Sequence, residues 1–277
     1  MSVKLDVAPV ADGVWTAAAG DYRTIFAAAG DEVVAVNGFG TAALAGAYAE
    51  AIRATVPAAK VVAVIASIDH LDHSAQASQL AGSGELVAHE LCARLLTSRG
   101  QNPTRRLAED AELELGGQRL SLLYRGPTQG SGNLAVHLPE QRLLFLVGPR
   151  GDARYGLFPD MHFRHLTRVW RELAELEVDV VVPGRGPTID VDGLRRAADY
   201  VDALAEASQQ AFADGLPIWV IEAMAPYVEE ALEERFGDLG GFDRHVGIGA
   251  IRLVHYYLMG GWGLEDTARP ELLLGKP

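Results

Sequence analysis

Twice along the chain, a group of short β-type runs gives way to alternating helix and strand. The first group is VKLDVAP, GVWTAAAG, YRTIFAAAG and DEVVAVNG, cut apart by turn signals at Asp12-Gly13, Gly20-Asp21 and Gly30-Asp31. TAALAGAYAEAIRATV then has the composition of a helix, and KVVAVIAS is the unbroken β-branched run of a strand buried on both faces. A short helix, the strand ELVAHE and a helix through LCARLLTS complete the first half. The second half begins near residue 111 with a hairpin, AELELGGQRLSLLYRG, turning at Gly116-Gly117. Another hairpin, NLAVHLPEQRLLFLVG, turns at Pro139-Glu140. The helix FRHLTRVWRELAELE, the strand VDVVVPG and a long helix from about Asp192 to Gly215 follow. Elements that are apolar on one face need a partner layer. Two halves of this kind satisfy each other as a four-layer αββα sandwich, an α/β (α+β) fold.

Beyond Pro217 the pattern changes. IWVIEAMAPYVEEALEERFG and RHVGIGAIRLVHYYLMGGWG read as helices joined by the turn-rich DLGGFD. The expected organisation is a layered domain over 1–215 with a helical C-terminal extension, 216–277, packed on it. The 277 residues carry a formal net charge of -13, from 24 basic and 37 acidic side chains. Such a surface repels phosphate backbones and anionic lipid heads, so the expected partner is a small-molecule substrate, not nucleic acid or membrane. A homo-oligomer is compatible with the same composition. No apolar run approaches the ~20 residues that span a bilayer. MSVKLDVAPVADG lacks the basic-then-apolar order of a signal peptide, so a cytoplasmic location is expected. The single cysteine, Cys92, excludes an internal disulfide and a cysteine zinc cluster. In AHELCARLL it reads as a small, half-buried helix residue.

Chemistry concentrates where the apolar run 61–68 stops. In VVAVIASIDHLDHSAQASQLAG, two histidines and two aspartates crowd into the segment from Asp69 to His73. The strand followed by Ile68-Asp69-His70-Leu71-Asp72-His73 resembles the His-x-His-x-Asp-His metal motif of the metallo-β-lactamase-fold superfamily. GELVAHEL is similar to that family's next strand and helix start. RGPTQGSGNLAVHLPEQRLLFLVG resembles its Gly-Pro-x-His-x-x-Gly-Asn segment and the hairpin after it. VDVVVPGRGPTID resembles the strand and turn that carry its last histidine, in the form Pro-Gly-His-Gly-Pro. Order and spacing agree over roughly residues 10–215. The resemblance implies the αββα sandwich, with a pocket where residues 68–73, 126–132 and 183–187 converge.

Carried over position by position, the family's ligands are partly present. His70, Asp72 and His73 match, while Ile68 stands for the first histidine and Gln129 for the third-motif histidine. Gly148 stands near the bridging aspartate, and Arg185 takes the place of the last histidine. In two-zinc members of the family the two ions together generate a hydroxide nucleophile. An alkyl group and a neutral amide beside His70 do not hold zinc. Arg185 is permanently cationic, so it repels a metal and can bond Asp72 bidentately. The expectation is a metal-free site without a cofactor, in which Arg185 fills the role of the missing charge. The alternative is a single divalent metal, zinc, iron or manganese, held by His70, Asp72, His73 and, after a loop shift, Asp152.

Each candidate has a plainer alternative. Aspartates cap helices, and one is expected to start near Ser74, beside Asp72 and His73. Asp69, at an x position of the motif, is assigned to surface or capping duty. The GPTQGSGN loop around Gln129 is either an oxyanion cradle of backbone N–H groups or a tight turn. His162 and His165, three apart at a helix start and so on one face, are candidates for the substrate rim, or else a solvated helix end. His245, His255, Tyr256, Tyr257 and Trp262 form either a lid or a helix-packing stripe. His89 and His137 sit in strand patterns and are assigned to structure. EVVAVNGFGTAALAGA holds Gly38-x-Gly40-x-x-Ala43 between a strand and a helix, the form of a dinucleotide fingerprint. The strands before it form a meander and no acidic residue closes the next strand, so that motif is set aside.

The reading is therefore a small-molecule enzyme on a metallo-β-lactamase fold. His70 or His73 acts as general base or acid, with Asp72 orienting and charging it. Arg185 and the Gln129 loop stabilise a developing oxyanion, and Ile68, Gln129, His162 and His165 contact substrate. The resemblance implies hydrolysis of an ester, lactone, thioester or sulfate. Without a metal hydroxide, proton-transfer chemistry of the lyase, cyclase or isomerase type is its companion. The rivals are a mononuclear metal hydrolase and a non-catalytic protein that binds a metabolite or a protein partner.

Overall fold

The computed structural model describes residues 3–155, 161–217 and 220–258, except for the side chains of Arg164, Ile251 and residues 254–258. Of the suggested lid residues, Trp262 and the side chains of His255, Tyr256 and Tyr257 lie outside the described residues. The chain forms two compact units: Met1–Gly126, Gly130–Gly148 and Glu177–Asp190 make the first, and Pro127–Gln129, Pro149–Leu176 and Val191–Pro277 the second.

In the first unit, β1 (Asp6–Ala11), β2 (Val14–Ala19), β3 (Tyr22–Ala29) and β4 (Glu32–Val36) form an antiparallel meander. The helix α1 (Ala42–Thr55), capped by the Thr41 hydroxyl, then returns the chain over the sheet. This crossover lets β5 (Lys60–Ala66) join parallel to β4. Short helices α2 (Leu71–Ser74) and α3 (Ala77–Ala81) lead to β6 (Glu85–His89), α4 (Glu90–Ser98) and β7 (Arg105–Leu107), all in one seven-stranded sheet in chain order. The second sheet runs β12-β11-β10-β9-β8. Its hairpin β8 (Ala111–Leu115)–β9 (Gln118–Leu123) turns on Gly116 and Gly117, at φ 55 and 65, the left-handed pair that a two-residue hairpin requires. The hairpin β10 (Ala135–Leu138)–β11 (Leu143–Leu146) follows, and β12 (Val180–Pro183) pairs parallel to β11.

Side chains alternate across a strand, and here the alternation builds two cores. Val33, Ala35, Val64, Ala66, Leu86 and Ala88 pack with Tyr48, Ile52, Leu80 and Leu96 of the helices. Val34, Val36, Ala63, Ile65 and Val87 face the second sheet, meeting Leu120, Leu122, Val136, Leu143 and Phe145. This is why β5 reads as an unbroken apolar run: both of its faces are covered. Each such Leu or Ile contributes about 1.5–3 kcal/mol of burial. Cys92 belongs to the helix-side core and is fully buried, more deeply than the half-buried position expected from sequence.

The second unit holds α5 (Phe163–Leu173), α6 (Val191–Ala213), α7 (Ile221–Phe236) and α8 (Phe242–Leu258), with α6 packed on the other three. Its interior is aromatic, with Tyr155, Trp170, Tyr200 and Phe236 at ring separations of 5.3–6.2 Å. Among the described residues, no helix is long and apolar enough to cross a membrane.

Candidate active site

The site begins where β5 ends. Ser67 donates from its backbone N and its Oγ to Asn37 Oδ1, at 3.0 and 3.1 Å, tying the exit of β5 to the loop after β4. That loop carries the Gly38-x-Gly40 pair, and the glycines serve packing there. A Cβ on Gly38 would lie 2.5 Å from the Ala77 nitrogen, and one on Gly40 would lie 3.0 Å from the Asp72 Cα. Gly38 N also donates to the His73 carbonyl at 2.9 Å. The loop therefore lies directly beneath residues 72–77 and supports them, which accounts for the glycines without a dinucleotide.

α2 opens at His70, whose carbonyl accepts from His73 N, Ser74 N and Ser74 Oγ at 2.9–3.0 Å. Asp72 thus lies in the first turn of α2 and caps no helix from Ser74, which corrects the structural alternative drawn from sequence. Its carboxylate pairs instead with Arg185, whose Nη2 donates to Oδ2. The side chains are 32% and 19% exposed, so the pair is half-buried. Burial alone would raise the Asp72 carboxyl, but His73, Arg185 and His70 outweigh it and hold it below the usual carboxylate range. His73 Nε2 lies 3.9 Å from the same Oδ2.

Arg185 follows β12 in a turn fastened to the start of β3. Arg23 N donates to Gly184 O, Gly186 N to Asp21 O and Arg23 Nε to Gly186 O, each at 2.9 Å. A Cβ on Gly184 would meet His73 Cε1 at 3.1 Å and Val147 Cγ2 at 2.8 Å, so only glycine lets the turn approach this closely. Residues 68–73 and 183–187 do meet in the first unit. Sequence reasoning missed Tyr22, which joins them: the Arg185 guanidinium lies 4.8 Å from its ring centroid, and its ring meets that of His73 at 5.5 Å and 67°. Its sole signal in the sequence was a place at the head of a strand after a Gly-Asp turn.

His73 is buried, and burial drives its imidazole down to about 4; Asp72 opposes the shift, and Arg185 and His70 add to it. Between the ordinary value of 6.5 and about 4, the unfolded chain binds a proton that the folded chain refuses. Stability should therefore fall as pH falls through that window. Urea unfolding at about pH 7 and about pH 5 is expected to show a smaller loss in His73→Gln than in the parent. Equal losses would remove His73 as a source of the acid sensitivity.

Two further expectations change in this unit. Ile68 is fully buried in the core between the sheets, so it packs the fold and does not serve as the substrate contact expected for it. Asp69 is buried rather than on the surface, with Arg99 Nη1 donating to its carbonyl and lying 3.7 Å from Oδ2. Beside it, Gly132 belongs to a tight approach, since its Cβ would lie 2.4 Å from Cys92 N.

Gln129, His162, His165 and Asp152 belong to the second unit. Gln129 is buried and forms an isolated bridge with Met161. His162 N donates to Thr128 O at 2.9 Å, and the His162 side chain is buried, unlike a solvated helix end. His165 is half-buried against Arg168. Asp152 is enclosed by Arg150 and Arg154, which donate to its oxygens at 2.7–3.2 Å. Burial opposes its ionisation, yet the two arginines bring it to about 2. His245 sits beside Gly241 at the start of α8. Among the described residues, no three His, Cys, Asp or Glu side chains converge into a metal-holding group.

No family profile matches the chain. Against solved structures, it resembles a metallo-β-lactamase from Pontibacter korlensis at TM-score 0.62 and 20% identity, covering 72% of this chain and 99% of that one. It also resembles FIM-1 from Pseudomonas aeruginosa in the mono-zinc form, at TM-score 0.63 and 17% identity, covering 73% and 96%. These likenesses show the fold. Two curated relatives come from Nocardioides sp. (strain JS1661). The β subunit of 2,4-dinitroanisole O-demethylase is 41% identical, covering 94% of this chain and 84% of the relative. The α subunit is 30% identical, covering 93% and 81%. With a metallo-β-lactamase fold and this degree of identity along nearly its whole length, the chain belongs to the family of the 2,4-dinitroanisole O-demethylase subunits.

Proposed function

We propose that this chain is an O-demethylase subunit that hydrolyses an electron-poor aryl methyl ether at a metal-free site. The observation that carries the reading is the half-buried Asp72–Arg185 pair beside two histidines, in a chain 41% identical to a demethylase subunit. The residues present do not fit the family's two-metal centre: Asp72 is taken up by a guanidinium, Asp152 by two others, and Ile68 is core.

The chemistry follows from the ring. Electron-withdrawing groups make the carbon bearing the methoxy group electrophilic. As His70 removes a proton from water, the water oxygen bonds to that carbon and the displaced electron pair moves into the ring and its substituents. Arg185 stabilises the negative charge there, beside the ionised Asp72. When the carbon–methoxy bond breaks, the departing oxygen takes the proton from His70, so aryl ether plus water becomes phenol plus methanol. His73, neutral and buried, holds the loop. Of the two histidines, the half-exposed His70 is the one that water can reach.

The relatives are named as α and β subunits. We extend this to a second, related chain as the partner, in place of the simple homo-oligomer considered from sequence. The test is the purified full chain, alone and with any related chain encoded beside it, incubated with 2,4-dinitroanisole. Yellow dinitrophenolate and methanol in equal amounts are expected, with heavy oxygen from labelled water appearing in the phenol. Formaldehyde in place of methanol, or label in methanol, would overturn the hydrolytic route. Stoichiometric zinc, iron or manganese by elemental analysis of protein purified without chelator would overturn the metal-free one.

A further inference from the structure

We propose that Tyr22 is a positioning residue of this site, holding the Arg185 guanidinium in the orientation in which it meets Asp72 and the substrate. The O-demethylase reading enters only in the catalytic consequence; the placement itself stands on geometry.

Arginine has a long stem with many rotamers, so a guanidinium at a pocket needs a surface to rest on. Tyr22 provides it. The guanidinium carbon sits 4.8 Å from the ring centroid, within the range where a cation is attracted by an aromatic face. From this seat over the ring, the guanidinium reaches Asp72, to which Nη2 donates. The backbone makes the same connection, since Tyr22 and Arg185 form an antiparallel bridge flanked by the Arg23–Gly184 and Gly186–Asp21 hydrogen bonds. The ring also meets His73 edge-on at 5.5 Å. Tyr22 thus touches both the turn after β12 and the loop after β5, the two segments whose separation the chemistry depends on. Burial raises its phenol, the Arg185 charge lowers it, and the Asp72 carboxylate, to which the hydroxyl donates, raises it again.

Two variants separate the ring from the hydroxyl. Tyr22→Leu removes both, and Tyr22→Phe keeps the ring. If the ring positions Arg185, Tyr22→Leu should lower kcat for 2,4-dinitroanisole by about 10–100-fold with little change in KM. Tyr22→Phe should restore most of that loss. The second readout needs no turnover: the Nε–Hε resonance of Arg185, assigned by its loss in Arg185→Lys, should carry a ring-current shift in the parent and in Tyr22→Phe. In Tyr22→Leu it should move to the position of an exposed arginine. An unmoved resonance, or parental kcat in Tyr22→Leu, would overturn the proposal. If the parent itself releases no dinitrophenolate, the O-demethylase reading fails, and the Arg185 resonance still decides whether Tyr22 positions the guanidinium.

Discussion

Replacing His70 with alanine is expected to lower the release of dinitrophenolate by about 10²–10⁴-fold while leaving the folded protein intact. The distinction from His73 is physical. His73 is buried among Tyr22, Gly184 and Asp72, and its low proton affinity makes it a poor acceptor near neutrality. His70 is half-exposed, and its backbone is fixed because its carbonyl accepts the first bonds of α2. Gly130 keeps the space beside it open, since a Cβ there would come within 3.8 Å of His70 Nε2 and 3.1 Å of Asp69 Oδ1. The measurement is single-turnover dinitrophenolate release, with the urea midpoint as the folding control. The companion His73→Ala should show the opposite balance, a larger loss of stability than of rate. Full turnover in His70→Ala would transfer the base to another group and undo the mechanism given above.

The second large effect concerns Arg185. Changing Arg185→His should let the protein bind zinc measurably better than the parent, because it removes a fixed positive charge and adds an imidazole beside Asp72 and His73. The pair it breaks is neither exposed nor fully buried. Arg185→Ala is accordingly expected to cost about 1–3 kcal/mol, between the cost of a surface ion pair and that of a buried one. Competition with a chromogenic chelator measures the affinity, and urea unfolding the stability. Equal zinc affinity in parent and Arg185→His would mean that the guanidinium is not what keeps metal out. A gain in affinity with loss of turnover is the expected combination, since the same cation that excludes metal also receives the negative charge of the reaction.

The elements that the residues announce are those with local periodicity. β5 is legible because every residue of VVAVIA has a face to bury, and the β8–β9 hairpin because Gly116-Gly117 admits the left-handed turn and little else. The edge strand β7 left no such mark: Arg105, Arg106 and Leu107 pair with β6 through the backbone, with one exposed ion pair from Arg105 to Glu85, and their side chains are exposed or half-buried. The crowded His/Asp loop after β5 was equally visible, as was the arginine in place of a histidine after β12. What each residue does there was not. Asp69 looked like a surface residue and is buried on Arg99, Ile68 looked like a pocket residue and is core, and the Gly38-x-Gly40 pair, which matched a dinucleotide fingerprint only in form, is a floor for residues 72–77.

The reason is a matter of range. Burial periodicity and turn chemistry are properties of a few consecutive residues, so the amino-acid order alone determined the strands and helices other than β7, the layered fold and the place where polar groups collect. The site is made by contacts between residues far apart in the chain: Asp72 and Arg185 are separated by 113 positions, and Tyr22 enters from a third segment. Whether a carboxylate is solvated, paired or covered depends on the neighbours that the tertiary structure brings to it. That decided the burial of Asp69 and His73, the seating of Arg185 on Tyr22, and the enclosure of Asp152 by two arginines.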